Sequence, residues 1–338
     1  MKKIILIPFH WKRNKYLNFF TDNANKIGVN YLKSNFLYRI FGFPKTVNAI
    51  HINLCGTAII DKNLLIKIKK YINAGGGLYT TLHNKIPEDK VNLYTEFLLL
   101  SKKILVHCEN DSISELSPLK NYENFKNNIV FVEHPNYIDY ISYSKCDYRK
   151  KFEFKDDDIV FMFHGLIEKR KNIEHIIKVF NEIKKPNIKL LIVGKCSNLF
   201  YRIKLLSVVK TPNIRIIFKF IDDKNFNAWF NTSDIQIYAP NLNHQLNSAS
   251  IFYSLSNKKT FVCPKIGSVN SISDTTFTFG FDCKNNAEKI QLLSEKIFEI
   301  SNNYSRKDLE LFGLKGYEYV KVNNSMANFI SKIKEFYS

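Results

Sequence analysis

The six cysteines of this chain, at positions 55, 108, 146, 196, 263 and 283, are scattered, and no two form a C-x-x-C pair. Several sit in apolar runs, where a thiol is a small hydrophobe. Disulfide and zinc frameworks are therefore not expected, and a reducing, cytoplasmic setting is. There is no H-x-x-x-H and no carboxylate pair at ligand spacing, so no metal or other cofactor is expected. No apolar run exceeds strand length, which leaves no transmembrane helix. The start, MKKIILIPFHWKR, lacks the length and the small-residue cleavage site of a signal peptide and reads as a first strand. No G-x-G-x-x-G follows a strand, which argues against a dinucleotide-dependent oxidoreductase. Zinc-finger spacing, an aromatic–glycine RNA signature and a solenoid-length repeat are absent as well, and no nucleic acid partner is expected.

Acidic side chains are also scarce: 31 against 50 Lys and Arg, a formal charge of +19. The excess is even, about +9 over residues 1–145 and about +10 beyond, so no discrete basic arm explains it. Three readings stay open: a solvated lysine-rich surface, an anionic small substrate, and peripheral contact with an anionic membrane. For the last, Trp11, Lys12, Arg13 and Lys15, with the aromatic-rich stretch Phe36–Phe43, are the expected surface.

What is present is a globular chain, 45% hydrophobic and 24% charged, long enough for two domains. Strands are expected at 3–9, 29–32, 47–54, 78–82, 103–107 and 129–133. A second series follows at 159–163, 188–193, 214–220, 235–238 and 260–263. Helices fall between them, one spanning 16–27 and one starting at the N-cap Asp61. Three further helices close the chain. This alternation predicts α/β architecture with parallel sheets, in two Rossmann-like domains facing a central cleft, with a helical C-terminal tail. The expected boundaries are 1–145 and 155–320, followed by a C-terminal helix over 321–338. The polar stretch 138–157 reads as the linker. Ligands of such sheets bind beyond the C-terminal ends of the strands. This marks His10, His83, His107, His134, Gly165, Gly194 and Pro240.

The most informative stretch is 158–180, DIVFMFHGLIEKRKNIEHIIKVF. A buried strand turns at Gly165 and passes Glu168, Lys169, Arg170 and Lys171. It then enters a helix whose Ile173, Ile176, Ile177 and Phe180 form one apolar stripe. Strand, glycine turn, cationic loop and helix N-terminus together suit a phosphate: N–H groups point at the anion and a cation balances it. Lys171 is the expected grip, with Arg170 beside it. Asn247 and Ser248 read as caps of the helix that follows them.

The order of these segments resembles GT-B glycosyltransferases, in particular bacterial polysaccharide-assembly enzymes related to glycosyltransferase family 4. The segments are KYL at 15–17, LYTTLHN at 78–84, EHPNY at 133–137, FHGLIEKRKN at 163–172, LLIVGK at 190–195, NSAS at 247–250 and KIG at 265–267. The resemblance implies sugar transfer from a nucleotide-sugar donor to a saccharide or lipid-linked acceptor, with retention and without a bound metal, in surface polysaccharide synthesis at the inner face of the membrane. The second domain would bind the donor through Gly165, Arg170, Lys171, Phe220, Ile221, Asn247, Ser248 and Ser250. The first would bind the acceptor through His10 and Trp11, and the C-terminal helix over 321–338 would pack back on it through the stripe Phe329, Ile333 and Phe336. Lys171 would meet the leaving diphosphate, and His83 the sugar or the acceptor hydroxyl. The pair of glutamates seven apart, common in that family, is absent; residues 247–255 hold no carboxylate. A non-catalytic scaffold of the same fold is therefore the alternative.

Overall fold

Apolar strands alternating with amphipathic helices condense into two parallel six-stranded sheets. A computed structural model describes residues 1–7, 15–33, 36–54, 60–141, 148–221, 226–243, 246–273 and 276–338. The chain forms two compact units. The first comprises 1–135, 244–247 and 325–338, and the second 136–243 and 248–324.

In the first unit the strands are β1 (Lys2–Ile7), β2 (Val29–Lys33), β3 (Ala49–Leu54), β4 (Gly77–Leu82), β5 (Lys103–Val106) and β6 (Ile129–Phe131). They run in the order β2-β1-β3-β4-β5-β6. Every residue of β3 and β4 is buried, as expected of strands covered on both faces. Asp61 caps the helix Lys62–Asn73 as read, its carboxylate accepting from Leu64 N at 2.7 Å. The helix expected over 16–27 is two, Lys15–Asp22 and Ala24–Ile27. They part at Asn23, whose buried side chain turns back to donate to the Phe19 carbonyl at 3.0 Å. The final helix, Met326–Tyr337, belongs to this unit: Phe329 packs on Phe19 and Phe20, and the Tyr337 hydroxyl bonds His51 Nδ1 at 2.5 Å.

The second unit holds β7 (Ile159–His164), β8 (Ile188–Val193), β9 (Ile214–Ile217), β10 (Ile235–Ile237), β11 (Thr260–Pro264) and β12 (Phe279–Phe281). Read from one edge, the order is β9-β8-β7-β10-β11-β12. The chain thus runs outward from β7, then returns to its other side at β10. Such a reversal opens a crevice between the two strand ends, the usual ligand position in doubly wound sheets. Strand β12 was not legible: it is three residues, Phe279-Gly280-Phe281, paired with Val262–Pro264. The expected strand 214–220 stops at Ile217.

The stretch read as a linker is part of the second unit. Arg149 accounts for this. Its buried guanidinium donates to the carbonyls of Lys155, Asp158 and Thr232 and to Asp234 Oδ2 at 3.0 Å. Asp234 also accepts from Val160 N and from Arg306 Nε at 2.9 Å, so one buried carboxylate joins β7, β10 and the helix Arg306–Asn323 at the N-terminal edge of the sheet.

Candidate active site

At the C-terminal end of β7, Gly165 adopts φ +124°, a conformation open to glycine and strained for other residues. Its carbonyl lies against Gly194 after β8: a Cβ on Gly194 would sit 1.7 Å from Gly165 O. The two glycines let the strand ends close up, and the chain then turns through one turn of 3-10 helix, Lys169–Lys171. Asn172 follows with φ +52°, the left-handed region that asparagine tolerates best after glycine. This residue sets the helix Ile173–Glu182 at its angle to the loop.

The loop is tied to the chain leaving β10, across the crevice of the sheet. Asn172 Nδ2 donates to Ala239 O at 3.0 Å, and Asn241 N donates to Arg170 O at 2.9 Å. Lys171 is half-buried. Burial, then the neighbouring Arg170 guanidinium, lowers its pKa to about 8, against the opposing pull of Glu168. Arg170 instead turns to the surface and pairs with Glu168 at 2.6 Å, an exposed contact of small worth. A cavity of about 350 Å³ adjoins the loop, lined by Leu166, Ile167, Glu168, Lys169, Lys195 and Asn198. A larger concavity of about 750 Å³ lies along the helices Ile173–Glu182 and Asn286–Asn303, lined by residues such as His175, Lys178 and Phe298, and has neither glycine turn nor strand end.

Sequence reading missed Lys289. It occupies a place in the apolar stripe Leu293, Ile297 and Ile300 of the helix Asn286–Asn303, and its side chain is wholly buried. A lysine in the register of a core stripe was the available signal. Its Nζ donates to Pro240 O at 2.8 Å, Asn286 Oδ1 at 2.8 Å and Ala239 O at 3.4 Å. All three are neutral oxygens, and burial lowers its pKa to about 8. Ala239 O thus accepts from both Asn172 and Lys289, which links the buried ammonium to the Lys171 loop.

The other donor candidates have the following partners. Ser248 is the N-cap residue of the helix Ala249–Ser256 by backbone position, yet its side chain makes no capping bond; its N–H donates to Ser268 Oγ at 3.3 Å. Ser250 lends its carbonyl to Tyr238 and Ser254. Asn247 does not cap this helix. It belongs to the first unit, where its amide donates to the carbonyls of Leu82 and His83, both at 3.3 Å. Phe220 is exposed and Ile221 buried, beyond the end of β9. His10 and Trp11 lie outside the described residues.

In the first unit, three strand-end histidines converge. His83, His107 and His134 follow β4, β5 and β6, and all three surround Tyr16 of the helix Lys15–Asp22. The ring of Tyr16 stands 4.4 Å from His83, 5.3 Å from His107 and 5.7 Å from His134. The hydrogen bonds set the tautomers. Val132 O can only accept, so His107 donates from Nδ1 (2.6 Å) and takes the Tyr16 hydroxyl at Nε2 (2.8 Å). Asn53 uses its amide N–H on Ile7 O, so its Oδ1 accepts from His83 Nε2 at 3.2 Å. His83 thereby carries its proton on Nε2. Burial pushes all three imidazoles down, His107 to about 4 and the others well below their ordinary range, with mutual repulsion adding to His83. They are neutral at physiological pH. Among the described residues no group of three His, Cys, Asp or Glu is arranged to hold a metal ion.

Residues 144–244 match the family model of glycosyl transferases group 1, a span that contains the Lys171 loop and the chain leaving β10. No curated protein matches the chain in sequence. Among solved structures, the sucrose-phosphate synthase of Thermosynechococcus elongatus superposes with a TM-score of 0.76 at 11% identity, over 100% of this chain and 98% of that one. Alr3699/HepE of Anabaena, solved with UDP and glucose, gives 0.72 at 9% identity over 99% and 98%. A glycosyltransferase of Rickettsia africae gives 0.70 at 16% identity over 100% and 99%. Two doubly wound parallel sheets thus give the chain the GT-B fold, and its residues 144–244, which hold the Lys171 loop, are similar to glycosyl transferases group 1.

Proposed function

We propose that the protein transfers a hexose from a nucleotide-sugar to a saccharide or lipid-linked saccharide acceptor, with retention, in the synthesis of surface polysaccharide beside an anionic membrane. The observation that carries the donor half is Lys171: a half-buried ammonium on a glycine-turned loop, at the crevice of the second sheet, inside the group 1 segment. As the bond between the anomeric carbon and the phosphate oxygen breaks, negative charge gathers on the departing nucleoside diphosphate. A cation already desolvated and held in place meets that charge without reorganising. Lys289 and Asn172 hold the loop in position. The structure solved with UDP and glucose makes UDP the first diphosphate to test.

The acceptor half rests on the first unit. Neutral imidazoles grouped around a tyrosine at the strand ends suit an uncharged polyol. Acceptor contacts at His10 and Trp11, and donor contacts at Phe220, Ile221, Asn247, Ser248 and Ser250, are part of the same proposal. The test is a thermal-shift series with nucleoside diphosphates. A diphosphate that binds only the native state raises the melting temperature with concentration, and one base is expected to do so at sub-millimolar levels. A flat response to every diphosphate would turn the reading to a non-catalytic scaffold.

A further inference from the structure

The helix Leu199–Val208, between β8 and β9, carries its apolar side chains on the wrong face for a core helix. Tyr201 and Leu205 are buried against the second unit, but Leu199 is 64% exposed, Phe200 85%, Ile203 57% and Leu206 55%. At ~100° per residue, Leu199, Ile203 and Leu206 form one stripe with Phe200 beside it, and Arg202 and Lys204 flank the stripe on opposite sides. From Lys195 to Phe220 the sequence holds six basic residues, Lys195, Arg202, Lys204, Lys210, Arg215 and Lys219, and no acidic one. Lys204 is ion-paired with Glu174 of the neighbouring helix at 2.7 Å, and the other five keep the segment net positive.

We propose that this helix is a docking surface for an anionic lipid bilayer, its apolar stripe entering the interface and its basic flanks meeting headgroup phosphates. Charge and apolarity together select this occupant. A second copy docked symmetrically would set the same basic segment against itself, which like-charge repulsion opposes. A nucleic acid would satisfy the charges but offer phosphates to the exposed leucines and Phe200. The bilayer supplies both an anionic surface and an apolar interior. No helix among the described residues is long and apolar enough to cross a membrane, so the contact is peripheral. The inference rests on the membrane contact proposed above and moves it from the Trp11–Lys15 region to a surface of the second unit.

Co-sedimentation with vesicles tests both statements separately. The full chain is offered phosphatidylcholine vesicles and vesicles with one-third phosphatidylglycerol, at low and high salt. Binding only to the anionic vesicles, weaker at high salt, is expected; absence of binding overturns the membrane contact altogether. The double variant Phe200→Ser, Ile203→Ser is expected to lower partitioning by at least about tenfold, and Lys210→Gln with Lys219→Gln, both at exposed positions, by about fivefold per charge. Both should keep the wild-type melting temperature and diphosphate response, since none of these residues belongs to the anion loop. Wild-type vesicle binding by the serine variant overturns the assignment to this helix. Sensitivity to the glutamine changes alone overturns it equally, because it would report attraction to any polyanion.

Discussion

The two units share an architecture and differ in how they treat charge at the strand ends. In the first, burial drives His83, His107 and His134 to the neutral form, and their ring nitrogens are set by Tyr16, Asn53 and backbone carbonyls. In the second, burial lowers Lys171 and Lys289 only to about 8, so both remain mostly protonated at neutral pH. The same desolvation thus leaves one sheet end polar and uncharged, the other polar and cationic, because the starting pKa of lysine is some four pH units above that of histidine. The proposed sugar transfer would use both: neutral hydrogen-bonding partners for a polyol and a fixed positive charge for a departing diphosphate.

The second unit also separates paired from unpaired charge along its strands. At the N-terminal edge Asp234 pairs with both Arg149 and Arg306; at the other edge Lys289 meets neutral oxygens. The largest expected effect comes from breaking the paired end. Asp234→Ala leaves the Arg149 guanidinium buried without its carboxylate and should cost ~3–5 kcal/mol in urea unfolding. A loss under about 1 kcal/mol would show that solvent reaches Arg149. Next is the cationic end: Lys171→Ala should lower transfer by ~10²–10³, with Lys169→Ala as the milder control. Rates for the two variants that fall alike would spread the role over the loop instead of Lys171.

Acid sharpens the contrast from the other side. His51, lowered to about 3 by burial, and His107, to about 4, are neutral when folded but protonated when unfolded below pH ~6.5. The unfolded chain binds more protons in that window, so stability rises with pH between about 3 and 6.5 and is lost on acidification. Melting temperatures from pH 7 down to 5 should fall, and less so in a His51→Phe variant that still folds; a flat profile would mean that solvent already reaches these rings. The lysines have the same sign in a different window: stability should rise from pH about 8 towards 10.5 as their burial penalty is relieved.

The smallest expected effect is at Lys289→Met, which completes the stripe with Leu293 and Ile297. Stability should hold or increase, since a buried lone charge is replaced by packing. Diphosphate affinity should drop about fivefold, roughly the 1 kcal/mol of one ordering hydrogen bond. Unchanged affinity would reduce Lys289 to a core residue.

Much of the fold was legible because buried parallel strands read as short apolar runs and the helices between them keep a 3.6-residue stripe. What escaped was short or long-range. Phe279–Phe281 is too brief to show a period, and Asn23 breaks a helix through a side-chain bond that propensity does not register. The Lys171 loop could be found since turn, cations and helix follow one another in sequence. Its depth could not, because Cys263, Ala239 and Lys289 reach it from distant elements. The histidine cluster is similar: each ring was marked as a strand end, but only the sheet order brings three of them around Tyr16.

The proposed role of Lys171, the charge that meets the diphosphate, is tested by calorimetric titration of UDP, or of whichever diphosphate the thermal screen selects, into wild type and Lys171→Ala between pH 7.5 and 9.5. Wild-type affinity should fall as pH rises past about 8, with proton uptake on binding, because the anion favours the protonated lysine. Lys171→Ala should bind at least about tenfold more weakly, with a shallower pH dependence set by Lys289 alone. Equal affinity and an equal pH profile in the two proteins would contradict the claim.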